Sequence, residues 1–334
     1  MTKIYAQDRG ERAFHDWHQN SAVRSRPYAY LLTPQDLADT DPERWYPTSL
    51  NPVLSLSEVT KLPSSTRLNA HVAHLVHFLD YTTTLELTVV NDAVASMTLG
   101  ALKQNFDAVD QRAALKLYTD EGYHALFSRQ IADQLVEHFD IARHPAMRLL
   151  LLNQYIEQTP STYKSLAVFM IAFVSETIIT RELLDLSREQ LVEPVFHMLR
   201  DHLHDEARHS VFFSDCFCKL LPQLSRAEEA FVASALTDII WMFCRPDRDF
   251  LKILFGSDQQ NFSLILERLD STVSTRIAWI AAPTIRAIQR TNLLKHKEHR
   301  NLFRTRGLLG KLRTSYSSSG NGRLGNAEKP DFRR

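Results

Sequence analysis

The chain has 334 residues, of which 44% are hydrophobic and 23% charged, and its formal net charge is zero. That balance fits a globular protein with one large core, or two domains at most, and gives no reason to expect nucleic acid or a membrane as partner. Only nine glycines and three cysteines (Cys216, Cys218, Cys244) occur, which argues against a hairpin-rich sheet and a disulfide framework and suits a reducing cytoplasm.

Residues 1–66 hold six of the thirteen prolines (Pro27, Pro34, Pro42, Pro47, Pro52, Pro63). Proline at that density breaks helices, so this stretch is expected to be an extension of loops and short helices wrapped around a body. The N-terminus has no apolar h-region, and no run reaches about 18 apolar residues, so neither a secretory signal nor a membrane span is expected. From Arg67 to Leu99 the period becomes helical. Leu75, Leu79, Thr82, Glu86, Val90, Ala93 and Met97 fall on one face.

A second helix is expected over 106–138, with Phe106, Ala113, Leu117, Glu121, His124, Ile131 and Leu135 on its stripe. Within it, Gly122 leaves room for a neighbouring side chain or helix. A third runs over 161–186, with Phe169, Ala172, Phe173, Glu176, Thr180 and Leu183 on one side. A fourth covers 191–220, with Val195, Leu199, His202, Glu206, His209, Phe213 and Leu220 in line and Ser187-x-x-Gln190 as a capping box before it. At least two more helices follow, near 225–243 and 258–292. The domain is thus expected to span 67–303 as an all-α bundle. The tail, 304–334, counts eight Lys/Arg against two Asp/Glu and has the composition of a disordered basic segment.

Seven residues on those four stripes carry chemistry: Glu86, Glu121, His124, Glu176, His202, Glu206 and His209. A carboxylate buried in a bundle costs several kcal/mol unless paired, and these four would also repel one another. No Lys or Arg shares their stripes. Two metal cations would neutralise the carboxylates, and three imidazoles would complete the ligand sets. Oxygen-rich donors favour a hard, redox-active ion such as iron or manganese. Glu121-x-x-His124 and Glu206-x-x-His209 each put two donors on one side of a helix. This is the arrangement of ferritin-like di-iron carboxylate proteins, with one Glu from each of two helices and Glu-x-x-His from two others. His202 lies about 10 Å along the axis from His209, so a local distortion such as a π-bulge is expected in the fourth helix. Asp120 and Asp205 immediately precede the two motifs (DEGYH and DEARH). They are positioned to accept the outer N–H of a ligand histidine.

Other motifs carry less. His71, His74 and His77 repeat every three residues but have no carboxylate partners at i+3 or i+4 apart from Asp80, which favours a solvated face. Cys216 and Cys218 point to different sides of their helix, and Cys216 reads as core. No nucleotide-binding or nucleophile-elbow motif occurs.

With these residues in hand, the chain resembles the di-iron N-oxygenases similar to p-aminobenzoate N-oxygenase, over about residues 67–210. That family combines the ferritin-like ligand set with one more histidine, four residues before the last Glu, here His202. The resemblance implies two iron ions, O2 reduced to a peroxo-bridged di-iron(III) species, and an amine oxidised to hydroxylamine, nitroso or nitro product in specialised metabolism. It also implies an external electron donor such as a ferredoxin or reductase. The amine is a small molecule or is held on a carrier. Phe169, Phe173 and Phe213 would line the space beside the metals or fill the core. Arg286, with Arg276 and Arg290, is the candidate for a substrate carboxylate. A homodimer is expected, since long bundle helices leave an apolar face.

Two alternatives stay open. One is another di-metal oxidase of this fold, a C–H hydroxylase, desaturase or radical generator. Ser128 stands where a radical-forming Tyr would sit. The other is a non-enzymatic iron-binding bundle, which a Pro-rich chain of this length fits poorly.

Overall fold

The computed structural model describes residues 13–25, 29–48, 51–100, 102, 106–186 and 190–309. They are all-α, with no strand among them. Four long helices form a ferritin-like bundle. The first, α1, covers residues 64–98 as Ser64–Leu85, a π-helical turn Glu86–Val90, and Asn91–Thr98. Then come α2 (Ala108–Phe139), α3 (Met147–Gln158), α4 (Lys164–Leu186) and α5 (Glu193–Leu220). Arg226–Cys244 (α6), Arg248–Phe255 (α7), Gln259–Ile280 (α8), Ala282–Gln289 (α9) and Lys297–Thr305 (α10) pack around them.

The stripe read on α1 is the face that goes inside: Leu75, Leu79, Thr82, Glu86, Val90, Ala93 and Met97 are all buried. Asp107 caps α2 by accepting from the backbone N–H of Val109 and Asp110, which satisfies donors no helical carbonyl can reach. Pro194 sits in the first turn of α5, where its missing N–H costs nothing. The helix starts at Glu193 after Val192, which has no side-chain cap. The proposed capping residue Ser187 and the tail from residue 310 onward lie outside the described residues.

Two apolar layers are stacked along the bundle axis. One is built from Val72–Leu79 of α1, Phe127–Leu135 of α2 and Val195–Leu199 of α5, and the other from Val89–Met97, Ala113–Leu117, Phe169–Ile178 and Phe212–Leu220. On α1, α2 and α5 the acidic and imidazole residues lie between them in sequence, and on α4 Glu176 sits two residues before the switch from Ile178 of one layer to Ile179 of the other. A third apolar cluster joins Val53, Leu54 and Val59 to Leu251, Phe255 and Ile265. The segment Ser161–Arg181 is long and apolar enough to cross a membrane, but 72% of its apolar window is buried inside the protein. It is the core helix α4, which carries Glu176.

Candidate metal centre

The four bundle helices bring all seven residues together, none more than 2% exposed. Glu86, His124, His202 and Glu206 offer ligand atoms within 4.8 Å of one another, and so do Glu121, His124, Glu206 and His209. Glu206 Oε1 is central, 3.2 Å from His124 Nδ1, 3.2 Å from His202 Nε2 and 3.3 Å from His209 Nδ1. Glu121 spans the same gap, with Oε1 2.9 Å from His209 Nδ1 and Oε2 3.5 Å from His124 Nδ1. Glu206 thus belongs to both groups, and Glu121 reaches His124 and His209 within one of them. Glu86 Oε1 lies 3.0 Å from His202 Nε2 at one end, and Glu176 Oε2 3.5 Å from His209 Nδ1 at the other.

Close as they are, these atoms are not hydrogen-bonded. Both oxygens of Glu86, Glu121 and Glu206, Oε2 of Glu176, Nδ1 of His124 and His209, and Nε2 of His202 are buried without a partner. Buried polar atoms are almost always satisfied. Orphans that converge are what donor sets for cations look like, and four carboxylates with three imidazoles fit two divalent ions.

Electrostatics point the same way. Burial pushes the carboxyl of Glu86 up to about 7, although His202 opposes it. Burial and the neighbouring Glu206 and Glu121 push Glu176 well above the carboxylate range. Burial would lower His209, but Glu206 and Glu121 outweigh it and hold the imidazole well above its usual value. His124 behaves likewise beside Asp205, Glu121 and Glu206. The cluster demands positive charge and, without metal, takes it as protons.

The geometry departs from expectation at α5. The α-ladder there is unbroken, and the π turn lies instead in α1, starting at Glu86. His202 faces the carboxylates with Nε2, whereas His124 and His209 use Nδ1. Nε2 lies farther from the backbone, so ring orientation closes the axial gap that a bulge was expected to close.

Asp120 and Asp205 are cross-paired. His209 Nε2–H donates to Asp120 Oδ2 at 3.3 Å, and His124 Nε2–H to Asp205 Oδ2 at 3.2 Å. Each aspartate thus serves the histidine of the other motif, on the other helix. An ionised carboxylate only accepts, so each bond fixes the tautomer that leaves Nδ1 lone pairs facing the cluster. Burial would raise Asp205, but His124, His209 and Arg208 outweigh it and hold the carboxyl below its usual range.

The N-terminal extension, given no part in the site from sequence, completes this layer. Trp17 Nε1–H donates to Asp120 Oδ1 and Oδ2 at 2.8 Å each, and the Ala22 backbone N–H to Asp205 Oδ2 at 3.0 Å. Arg208 adds a 2.6 Å bond to Asp205 Oδ1, and Phe14 packs 5.9 Å from the His209 ring. Nothing local marks Trp17 out, because its partner is 103 residues away.

The remaining candidates lie outside this ligand set. Phe169, Phe173 and Phe213 have zero exposure; Phe169 packs with Phe106 and Phe213, and Phe173 with Phe217. They fill core. Arg286 is exposed, because α9 turns Ile285, Ala287 and Ile288 inward. Arg290 bonds Asp215 at 2.6 Å. His71 and His74 are buried rather than solvated. Their Nδ1 atoms lie 2.7 Å from the carbonyls of Tyr46 and Ala70, and His77 stacks on Phe250. The segments containing Tyr46 and Phe250, packed over α1, make that face interior. Arg276 lines a cleft beside these histidines.

The sequence profile of the family described as "P-aminobenzoate N-oxygenase AurF" matches residues 14–288. The match takes in Trp17, both Glu-x-x-His motifs and most of α9, a wider span than the bundle alone. No curated protein matches the chain.

Proposed function

The chain belongs to the p-aminobenzoate N-oxygenase family, and on that premise we propose that it is an O2-dependent di-iron enzyme that oxidises an amine. Glu86, His124, His202 and Glu206 would hold one ion, and Glu121, Glu176, Glu206 and His209 the other. Two iron ions there, or manganese in their place, would supply the electrons for O2 reduction and the oxygen-transfer chemistry. The protein's own work is to hold three lone pairs and four carboxylates converged and dry. The conversion of R–NH2 to R–NHOH takes one oxygen atom from O2. The other leaves as water, with two electrons and two protons from outside. Further rounds would give nitroso and nitro products. The chain carries no flavin or nicotinamide motif, so an external donor such as a ferredoxin or reductase must supply the electrons. We place the reaction in the cytoplasm, in biosynthesis of a specialised metabolite, and assign the enzyme as a homodimer.

One observation carries this reading: the converging orphan atoms of seven buried residues in a chain of N-oxygenase ancestry. The test is anaerobic titration with Fe(II), then 18O2 and p-aminobenzoate with a chemical reductant. Uptake of two ions per chain and one 18O in the hydroxylamine are expected. Uptake below one ion, or label found only on carbon, would overturn it.

A further inference from the structure

Asp120 and Asp205 are matched in all but one partner. Each lies one residue before a Glu-x-x-His motif. Each accepts the Nε2–H of the other motif's histidine, at 3.3 and 3.2 Å. Each also takes one uncharged N–H from the N-terminal strap at residues 13–25. For Asp120 that donor is the Trp17 indole at 2.8 Å, and for Asp205 it is the Ala22 backbone at 3.0 Å.

The difference is Arg208. Its guanidinium donates to Asp205 Oδ1 at 2.6 Å, with the Arg208 side chain only 12% exposed. A charge-assisted bond of this kind is roughly twice as strong as a neutral one, and burial leaves it little screened. Asp16 also faces Arg208, but at 3.5 Å and with its side chain 32% exposed, so the closer and drier contact is with Asp205.

Asp120 has no such partner. Among the described residues its one ionic contact is His209 itself. Lys116, a turn earlier on α2, donates instead to the Phe14 carbonyl at 3.0 Å. Position 123 stands to Asp120 as position 208 stands to Asp205. It is occupied by Tyr123, whose ring packs edge-on against Phe127.

Charge therefore differs behind the two ligands. Asp205 (−1) with Arg208 (+1) sums to zero behind His124, whereas Asp120 leaves −1 behind His209. A carboxylate that shares its charge with a guanidinium is the weaker acceptor for an imidazole N–H, and the imidazole it holds is the less basic ligand.

We propose that Arg208 is a positioning residue that makes the two histidines unequal: by neutralising Asp205 it leaves His124 the weaker metal donor and His209 the stronger. The inference rests on the di-iron reading and gives it a direction. The ion held by His209 lies in the more negative surroundings and is the easier of the pair to oxidise.

The test reads hydrogen bonds rather than turnover. Full-length protein labelled with 15N-histidine and loaded with Zn(II), which is diamagnetic, should show both imidazole N–H protons in NMR. Each is assigned by its neighbour across the shared carboxylate, the Trp17 indole N–H for His209 and the Ala22 amide N–H for His124. The His209 proton is expected farther downfield, as the stronger bond, and this comparison needs no variant. Arg208→Gln keeps a donor and removes the charge. The His124 proton should then move downfield toward the His209 position while the His209 proton stays, and its persisting contact with the indole shows the strap in place. Arg208→Lys should restore the parent spectrum. Two zinc ions bound with equal protons, an unmoved His124 proton in Arg208→Gln, or a Lys variant that behaves as the Gln variant would each overturn the role of Arg208 and leave the di-metal reading standing. Uptake below two zinc ions per chain would overturn both.

Discussion

At Asp120 two donors meet on one buried carboxylate, the Trp17 indole and the His209 imidazole. Its job is to hold His209 as the Nδ1 donor. Asp120→Ala would free that ring and leave the indole N–H unpaired. Metal affinity should fall ten- to a hundredfold at the ion beside Glu176, read by Fe(II) competition with a chelator. Trp17→Phe removes one partner of a buried charge, and about 1–3 kcal/mol of stability should go with it, measured by urea unfolding. His202→Ala deletes the Nε2 donor at the Glu86 end, so uptake should drop from two ions toward one. Retention of both would remove His202 from the ligand set. The protons held by His124 and His209 give a pH test. Both imidazoles are raised by surrounding carboxylates against the opposing effect of burial. In the metal-free protein they favour the protonated form and must be deprotonated to bind. Metal uptake should therefore release protons, and affinity should climb as pH rises. Calorimetry in buffers of different ionisation enthalpy counts those protons, and a count of zero would contradict the scheme.

Asp247 ties three elements together. It caps α7 through Phe250 N–H, anchors the start of α3 through Met147 N–H, and faces His77 of α1. Burial would raise its carboxyl, but His77 and the two backbone donors outweigh that and lower it to about 2. A depressed carboxylate stabilises the fold fully above its unfolded value, near 4, and loses that contribution as pH falls through about 2. Asp247→Ala should cost about 2 kcal/mol at pH 7, and the gap from the parent should close by about pH 2 in denaturation curves. The helices themselves were legible where a stripe was long. The buried face of α1, with Glu86 in its middle, follows from period alone. Met147–Gln158 was missed, because MRLLLLNQYIEQ is short and its leucines are consecutive rather than periodic. The π turn at Glu86 and the cross-pairing of Asp120 and Asp205 were not legible either. Both are set by how four helices meet, and ring orientation at His202 is a tertiary choice. The buried state of His71 and His74 was invisible for the same reason, since Tyr46 and Phe250 cover them from distant segments.

On the whole molecule, the outward face of α2 is the place where a second copy would sit. Leu115, Tyr118 and Leu126 are 51%, 47% and 52% exposed, and with Gly122 they form one line along the helix. Between Lys116 and Arg129 the exposed positions of α2 are Tyr118, Thr119, Gly122 and Leu126, none of them charged. Gly122 costs about 1 kcal/mol relative to alanine inside a helix. Nothing in its own chain requires it, because an added Cβ would meet no atom within 4 Å. A helix of a second copy crossing closely there would require it. A two-fold axis at Gly122, with the two α2 helices antiparallel, sets Tyr118 against Leu126 of the second copy. A two-fold contact of this kind is self-complementary and closed. Sedimentation at micromolar concentration should then give twice the 38.4 kDa chain mass. Leu126→Lys, at an exposed position, should yield a folded monomer with unchanged helical content. A parent protein that sediments at the single-chain mass would rule this face out as a dimer contact, and Gly122 would then need another explanation.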